Sequence, residues 1–157
     1  FLAHGFSRIV FVNGHGGNIT PYQQALFELK QIHRDRRDLL LLALTYWDAA
    51  GNPSQGAIPG LVQKRMGHAC EWETSMILRL APHLVGNYKK AEPVEAGTGF
   101  NPGFRAWTTR DRTRPGHIGF PNLASAEKGE ALFRIFSEGL ITFLERVVQW
   151  DGKSWNG

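Results

Sequence analysis

The sequence predicts an α/β fold built on a mainly parallel sheet, and three observations carry that expectation. The apolar run Ile9 to Val12 is long enough for a buried strand, and it breaks into Asn13-Gly14-His15-Gly16-Gly17-Asn18. A helical pattern follows that glycine-rich turn at once, with Tyr22, Ala25, Leu26, Leu29, Ile32 and His33 on one face. Leu39 to Tyr46 is then a second, nearly unbroken apolar run. It is too short for a helix buried all round and suits a central parallel strand covered on both faces. Strand, helix, strand joins parallel neighbours by a right-handed crossover. In such sheets the turns at the carboxyl ends of the strands are where ligands bind.

Taken in order, Phe1 to Gly5 reads as the end of a helix capped by Gly5, and Phe6 to Val12 as the first strand. Thr20 is placed as the N-cap of the first helix, with Pro21 at its first position and Gln23 closing a capping box. That helix should end within Arg34 to Asp38, with His33 a boundary residue of its face. Trp47 and Asp48 are expected to emerge at the same sheet edge as His15. Asn52 to Gly60, rich in Gly, Pro, Asn and Ser, is an irregular loop at that edge.

The second informative stretch is Gly67-His68-Ala69-Cys70-Glu71-Trp72-Glu73-Thr74-Ser75. It opens a helix that runs through Met76, Ile77 and Leu80 and stops before Pro82. Trp72, Met76 and Leu80 form its buried stripe. The helix dipole accounts for Glu71 and less well for Glu73. Asn87 to Pro121 lacks helical periodicity and reads as a long excursion with one or two short strands, of the kind that serves function or a subunit contact. His117 within it takes a surface or subunit-contact role. Asn122 to Gln149 is a long amphipathic helix with Leu132, Phe133, Phe136, Leu140, Phe143, Leu144, Val147 and Val148 on its apolar face. Its Gly129 and Gly139 either weaken it or mark close packing.

At 157 residues, 42% hydrophobic and 20% charged, the chain suits one globular domain over residues 1–157. It opens at Phe1, almost immediately inside a strand, so it is expected to be the larger, C-terminal part of a longer protein. The net charge of +4 invites a nucleic-acid reading. The cations are dispersed, however: Arg34, Arg36 and Arg37 end a helix, as the dipole favours. Arg105, Arg110, Arg112 and Arg114 surround Trp107 in one loop and suit either an anionic substrate or a partner subunit. No nucleic-acid partner is expected. The single cysteine, Cys70, fits a reducing compartment. Without an apolar run of membrane-spanning length or a signal-peptide pattern, the expected location is cytoplasmic, with no membrane partner.

Three clusters are expected at one sheet edge: His15, the pair Trp47-Asp48, and His68 with Glu71 and Glu73. Imidazole and carboxylate ligands suit zinc, manganese or iron. A bound metal lowers the pKa of a water and polarises a carbonyl, while a free His or Glu moves protons. Metal-assisted hydrolysis is therefore one reading. The rival is a non-catalytic phosphate- or nucleotide-binding module that uses the glycine loop 13–18 at a helix N-terminus. Against it, the loop lacks the Lys-Ser/Thr pair and the Gly-x-Gly-x-x-Gly spacing, and Pro21 removes an amide. A third reading makes the glycines a tight turn only.

Asn13-Gly-His-Gly-Gly-Asn18 followed by Gly67-His-Ala-Cys-Glu-Trp-Glu-Thr-Ser75 resembles the creatininase (creatinine amidohydrolase) family. Tyr46-Trp47-Asp48 and Leu123-Ala-Ser-Ala-Glu-Lys-Gly129 fit it too. The resemblance implies a three-layer α/β/α sandwich whose N-terminal strands are missing here. It implies a metal-dependent amidohydrolase that cleaves a non-peptide C–N (amide) bond of a small molecule through metal-activated water. It also implies two divalent ions per site in the complete protein, zinc first with manganese or iron as alternatives, and a homohexamer. By resemblance His15 is a metal ligand, His68 the proton-transfer histidine, Glu73 an active-site glutamate and Trp47 a residue packing on the substrate. Two departures stand out. Gly17 occupies the place of a ligating glutamate, which leaves Glu73 to supply a carboxylate. Lys64-Arg65 replaces a Trp-Asp pair, which argues against creatinine and for an anionic amide. The remaining ligands, a Glu-x-His pair and an Asp, are expected upstream, so residues 1–157 alone should bind metal weakly or not at all and hydrolyse nothing.

Overall fold

The computed structural model describes residues 1–51, 53, 56–97 and 99–155. Asn52, Ser54 and Gln55 of the expected irregular loop lie outside the described residues. The chain divides into two compact units, Phe1–Gly51 with Phe136–Gly157, and Asn52–Ile135.

In the first unit β1 (Arg8–Asn13), α1 (Ile19–Ile32) and β2 (Leu40–Thr45) form the predicted strand-helix-strand. The strands pair in parallel from Arg8 opposite Leu40 to Asn13 opposite Thr45, so both end at the same level. The α/β class and the parallel sheet hold. The expected double covering of β2 does not: Leu40 to Leu44 are only half-buried, and only Thr45 is buried. Among the described residues β2 has β1 as its one neighbour. Phe11 and Val12 of β1 are 47% and 48% exposed. A two-stranded ribbon cannot screen both faces of either strand.

The first helix also starts differently. Leu2–His4 is a short 3₁₀ turn closed by Gly5 at φ 88, as the opening residues implied. A second 3₁₀ turn, Gly16–Asn18, feeds directly into α1, so Thr20 and Pro21 lie inside the helix and Thr20 does not cap it. Pro21 is harmless there, because the first four N–H groups have no acceptor within the helix. Tyr22, Leu26, Leu29 and His33 are half-buried, whereas Ala25 and Ile32 of the predicted face are exposed.

The second unit holds α2 (Glu71–Leu80), as predicted from its spacing. Trp72 and Met76 are buried, but Leu80, at 55% exposure, is not part of the stripe. The excursion contains two isolated antiparallel bridges, His68 with Ile118 and Val94 with Gly119, in place of full strands. Within it α3 (Thr109–Arg112) is one turn closed by a capping box between Thr108 and Asp111. The last helix, α4 (Ala126–Gln149), begins after a 3₁₀ turn at Pro121–Leu123, four residues later than the sequence suggested. Ser125 Oγ accepts the Lys128 N–H at 3.3 Å and starts it.

Both glycines of α4 mark close packing. A Cβ on Gly129 would lie 2.0 Å from the Ser75 carbonyl oxygen, and one on Gly139 would lie 2.7 Å from Ala50 Cα. Gly129→Ala is therefore expected to destabilise the protein by about 1–3 kcal/mol despite alanine's higher helix propensity. Urea unfolding checks the sign, and a stabilised variant would refute the contact. The C-terminus of α4 is held within the first unit by the Arg8 guanidinium, which donates to the carbonyls of Val147, Val148 and Trp150 at 3.2, 2.7 and 2.8 Å. Leu132, Phe136 and Val147 of the predicted face are buried, while Val148 is 74% exposed. No helix among the described residues is long and apolar enough to cross a membrane.

Candidate active site

The glycine-rich turn leaves the carboxyl end of β1 and is organised by one buried side chain, Asn13. Its Oδ1 accepts from the His15 N–H and the Asn18 amide, both at 3.1 Å. Its Nδ2 donates to the His15 carbonyl at 2.7 Å and to Thr45 Oγ1 on β2 at 3.1 Å. All four hydrogen-bonding positions of the carboxamide are thus used, which fixes the turn that presents His15. His15 Nδ1 accepts the Gly17 N–H at 3.1 Å. The ring lies close over Gly17, where a Cβ would sit 2.8 Å from the imidazole and displace it.

Trp47 and Asp48 follow β2 at the matching level. The Tyr46 N–H donates to the Asn13 carbonyl at 3.1 Å, and the Asp48 N–H to Thr45 at 2.9 Å. The rings of Tyr46 and Trp47 meet edge to face at 5.0 Å. Partial burial pushes the Asp48 carboxyl above the usual carboxylate range. His15 and Trp47 therefore share one end of the sheet, as the sequence placed them.

His68 and Glu73 belong to the second unit, at the entrance to α2. The main chain of His68 pairs with Ile118 through bonds of 2.9 and 2.7 Å. Ala69 follows at φ 45, a left-handed conformation that a non-glycine residue adopts only when its surroundings impose it. Cys70 is the N-cap, and burial pushes its thiol up, so it is not poised as a nucleophile. Glu73 stands in the first turn of α2, and its Oε2 is buried with no hydrogen-bond partner among the described residues. A buried carboxylate oxygen left unpaired is costly, and such atoms commonly await a ligand or an ion.

Glu71 has a different role from the one its helix position suggested. It is completely buried and accepts from Lys128 Nζ at 2.6 Å, from the Gln63 N–H at 2.7 Å and from the Val62 N–H at 3.1 Å. It is a structural ion pair, and dipole stabilisation alone does not describe it. His117 Nε2 lies 2.7 Å from the Glu92 carbonyl oxygen. Arg112, half-buried at the end of α3, stacks over the exposed Trp107 at 4.4 Å, and Lys64 and Arg65 are exposed.

The glycine loop does not suit a phosphate. The N–H groups of His15, Gly17 and Asn18 are already bound to Asn13 Oδ1, His15 Nδ1 and the His15 carbonyl. A metal suits it better, with one condition. Ligation by a neutral His15 through either nitrogen ends the Gly17 contact, because Nδ1 must then carry either the metal or the proton. That contact is exposed and gives way cheaply. No group of three or more His, Cys, Asp or Glu able to hold a metal occurs among the described residues. His15 in the first unit and Glu73 in the second each carry the chemistry of a metal donor, and each alone falls short of the three or four groups of a tight zinc site.

Sequence reasoning missed Asn13 and Gln63 as organising groups. Asn13 carried a signal, an Asx residue opening a turn after a strand, whereas Gln63 carried none.

The family model for creatininase (creatinine amidohydrolase) matches residues 1–144. The chain is 30% identical over 145 residues to the creatinine amidohydrolase of Pseudomonas putida, covering 87% of this chain and 54% of that protein. It is 28% identical over 148 residues to the mycofactocin precursor peptide peptidase of Mycobacterium ulcerans (strain Agy99), covering 91% and 49%. The chain thus spans about half the length of these relatives. Among solved structures, one described as "Creatininase Mn" aligns with a TM-score of 0.69 at 29% identity, over 92% of this chain and 58% of that one.

Proposed function

We propose that this chain, which belongs to the creatininase family, serves in a metal-dependent amidohydrolase acting on a C–N bond of a small molecule. The observation that carries the reading is the buried Oε2 of Glu73, without a hydrogen-bond partner among the described residues, in the same helix entrance as His68. A His-bearing glycine turn at the carboxyl end of a parallel strand supplies the second element. His15 would hold a divalent metal, zinc or manganese, and Glu73 would give it a carboxylate, with further donors completing the set. When bound, the metal supplies an activated water and polarises the amide carbonyl.

The chain's own residues do the rest. His68 delivers a proton to the departing nitrogen, which a neutral amide needs in order to leave as an amine. Trp47, half-buried at the end of β2, offers an aromatic face to the substrate. Lys64 and Arg65, both exposed, favour a carboxylate- or phosphate-bearing amide over a neutral one. The same reading takes the complete protein to be a cytoplasmic homo-oligomer.

The test is His15→Ala in the complete natural protein. His15 lies in an exposed turn, so the fold should survive with a change within about 0.5 kcal/mol. Metal content by elemental analysis and turnover across a panel of amides should both fall sharply. A variant with unchanged metal content and unchanged turnover removes His15 from the site.

A further inference from the structure

We infer that Gln63 is the positioning residue for His68, through three hydrogen bonds of its buried carboxamide that close the turn carrying that imidazole. The inference rests on the role proposed for His68. Gln63 is 5% exposed. Its Nε2 donates to the Arg65 carbonyl at 2.8 Å, on the approach to the turn. Its Oε1 accepts from the Glu71 N–H at 3.2 Å, where the turn enters α2. The same Oε1 accepts from the Phe120 N–H at 3.1 Å, on the segment whose Ile118 pairs with His68. One side chain therefore ties the beginning of the turn, its end and the segment opposite it.

The main chain is shaped to admit that side chain. A Cβ on Gly67 would lie 2.9 Å from Gln63 Nε2, and one on Gly119 would lie 2.2 Å from Gln63 Oε1. Both flanking positions are glycine in the sequence, and the carboxamide fills the space between them. Gln63 is itself anchored, since its N–H donates to the buried Glu71 carboxylate and its carbonyl accepts the Trp72 indole N–H at 2.9 Å. Between the tied points sits Ala69 at φ 45, a conformation that relaxes unless it is held. The arrangement parallels the first unit, where the buried carboxamide of Asn13 closes the turn of His15. A catalytic proton donor tolerates little displacement, so loss of the tie should appear in catalysis before it appears in substrate binding.

The experiment compares Gln63→Met, which keeps the volume and removes the hydrogen bonds, with Leu132→Ala, which opens the core of the same unit. Both are made in the complete natural protein. Gln63→Met should lower kcat roughly 10- to 100-fold. KM should stay within about threefold, as expected when transition-state interactions alone are lost. In metal-free protein labelled with carbon-13 at histidine, the His68 Cε1–H resonance should shift and broaden. Leu132→Ala should lower Tm without moving either readout. If Gln63→Met does not fold, Gln63→Asn, which retracts the amide by one methylene, should show the same pattern more weakly. An unmoved His68 resonance, or a kcat change matched by Leu132→Ala, overturns the inference. If the unmodified protein hydrolyses no amide, the hydrolase reading fails, and the resonance still decides whether Gln63 positions His68.

Discussion

Lys128→Met is expected to destabilise the protein by about 3–5 kcal/mol, the cost of leaving a buried charge without its partner. Glu71 has no exposed surface, and the Lys128 ammonium lies 2.6 Å from its Oε1. Lys128 also donates to the Leu123 carbonyl at 2.7 Å, so its loss leaves a second acceptor unpaired. The carboxylate would keep the N–H groups of Val62 and Gln63, which orient it but do not neutralise it. Adding Glu71→Gln should recover much of the loss, because a neutral amide oxygen accepts the same two N–H groups without a counter-charge. Equilibrium urea unfolding of the single and double variants measures both numbers. A loss below about 1 kcal/mol in Lys128→Met would mean that the pair behaves like a surface salt bridge, with water reaching it. In contrast, the exposed Arg36–Asp38 pair is expected to contribute little, since both side chains are open to solvent.

The strand-helix-strand opening was legible because apolar runs and helical spacing are local signals, and parallel pairing follows from the connection between them. The end of α2 was legible for the same reason, with Pro82 as its stop. What was not legible depends on contacts distant in sequence. Glu71 and Lys128 are 57 residues apart, as are Gln63 and Phe120, and no period or propensity links them. The first helix start was misread for a physical reason. The side chains of Asn13 and His15 take up amides of the glycine turn, so the helix begins directly at Ile19 without needing Thr20 as a cap. Leu80 and Ile32 followed the apolar pattern yet stay exposed, because periodicity says which face a residue shares and not whether anything packs there. The motifs single out His15, Trp47, His68 and Glu73 as candidates, whereas the buried carboxamides that hold the two histidine turns become visible only in three dimensions.

His68→Ala should lower kcat by roughly 10²–10⁴-fold while metal content stays unchanged, which is the mark of lost general acid help. The helix entrance should survive the truncation. His68 is held by its main chain to Ile118, so truncating its side chain leaves that bridge intact. The Glu71–Lys128 pair and the Gln63 ties, which support the same helix entrance, do not involve the imidazole. Glu73→Gln provides the contrast. If the unpaired Oε2 faces a metal, replacing a charged donor by a neutral amide should reduce occupancy as well as rate. Elemental analysis beside steady-state kinetics on the two variants separates the roles. Reduced metal content in His68→Ala would move His68 into the ligand set and leave the proton donor unassigned. Full occupancy in Glu73→Gln with reduced turnover would instead place Glu73 on the substrate. In that case the buried oxygen awaits a hydrogen-bond donor, such as an amide N–H, and the metal must draw its carboxylates from other residues.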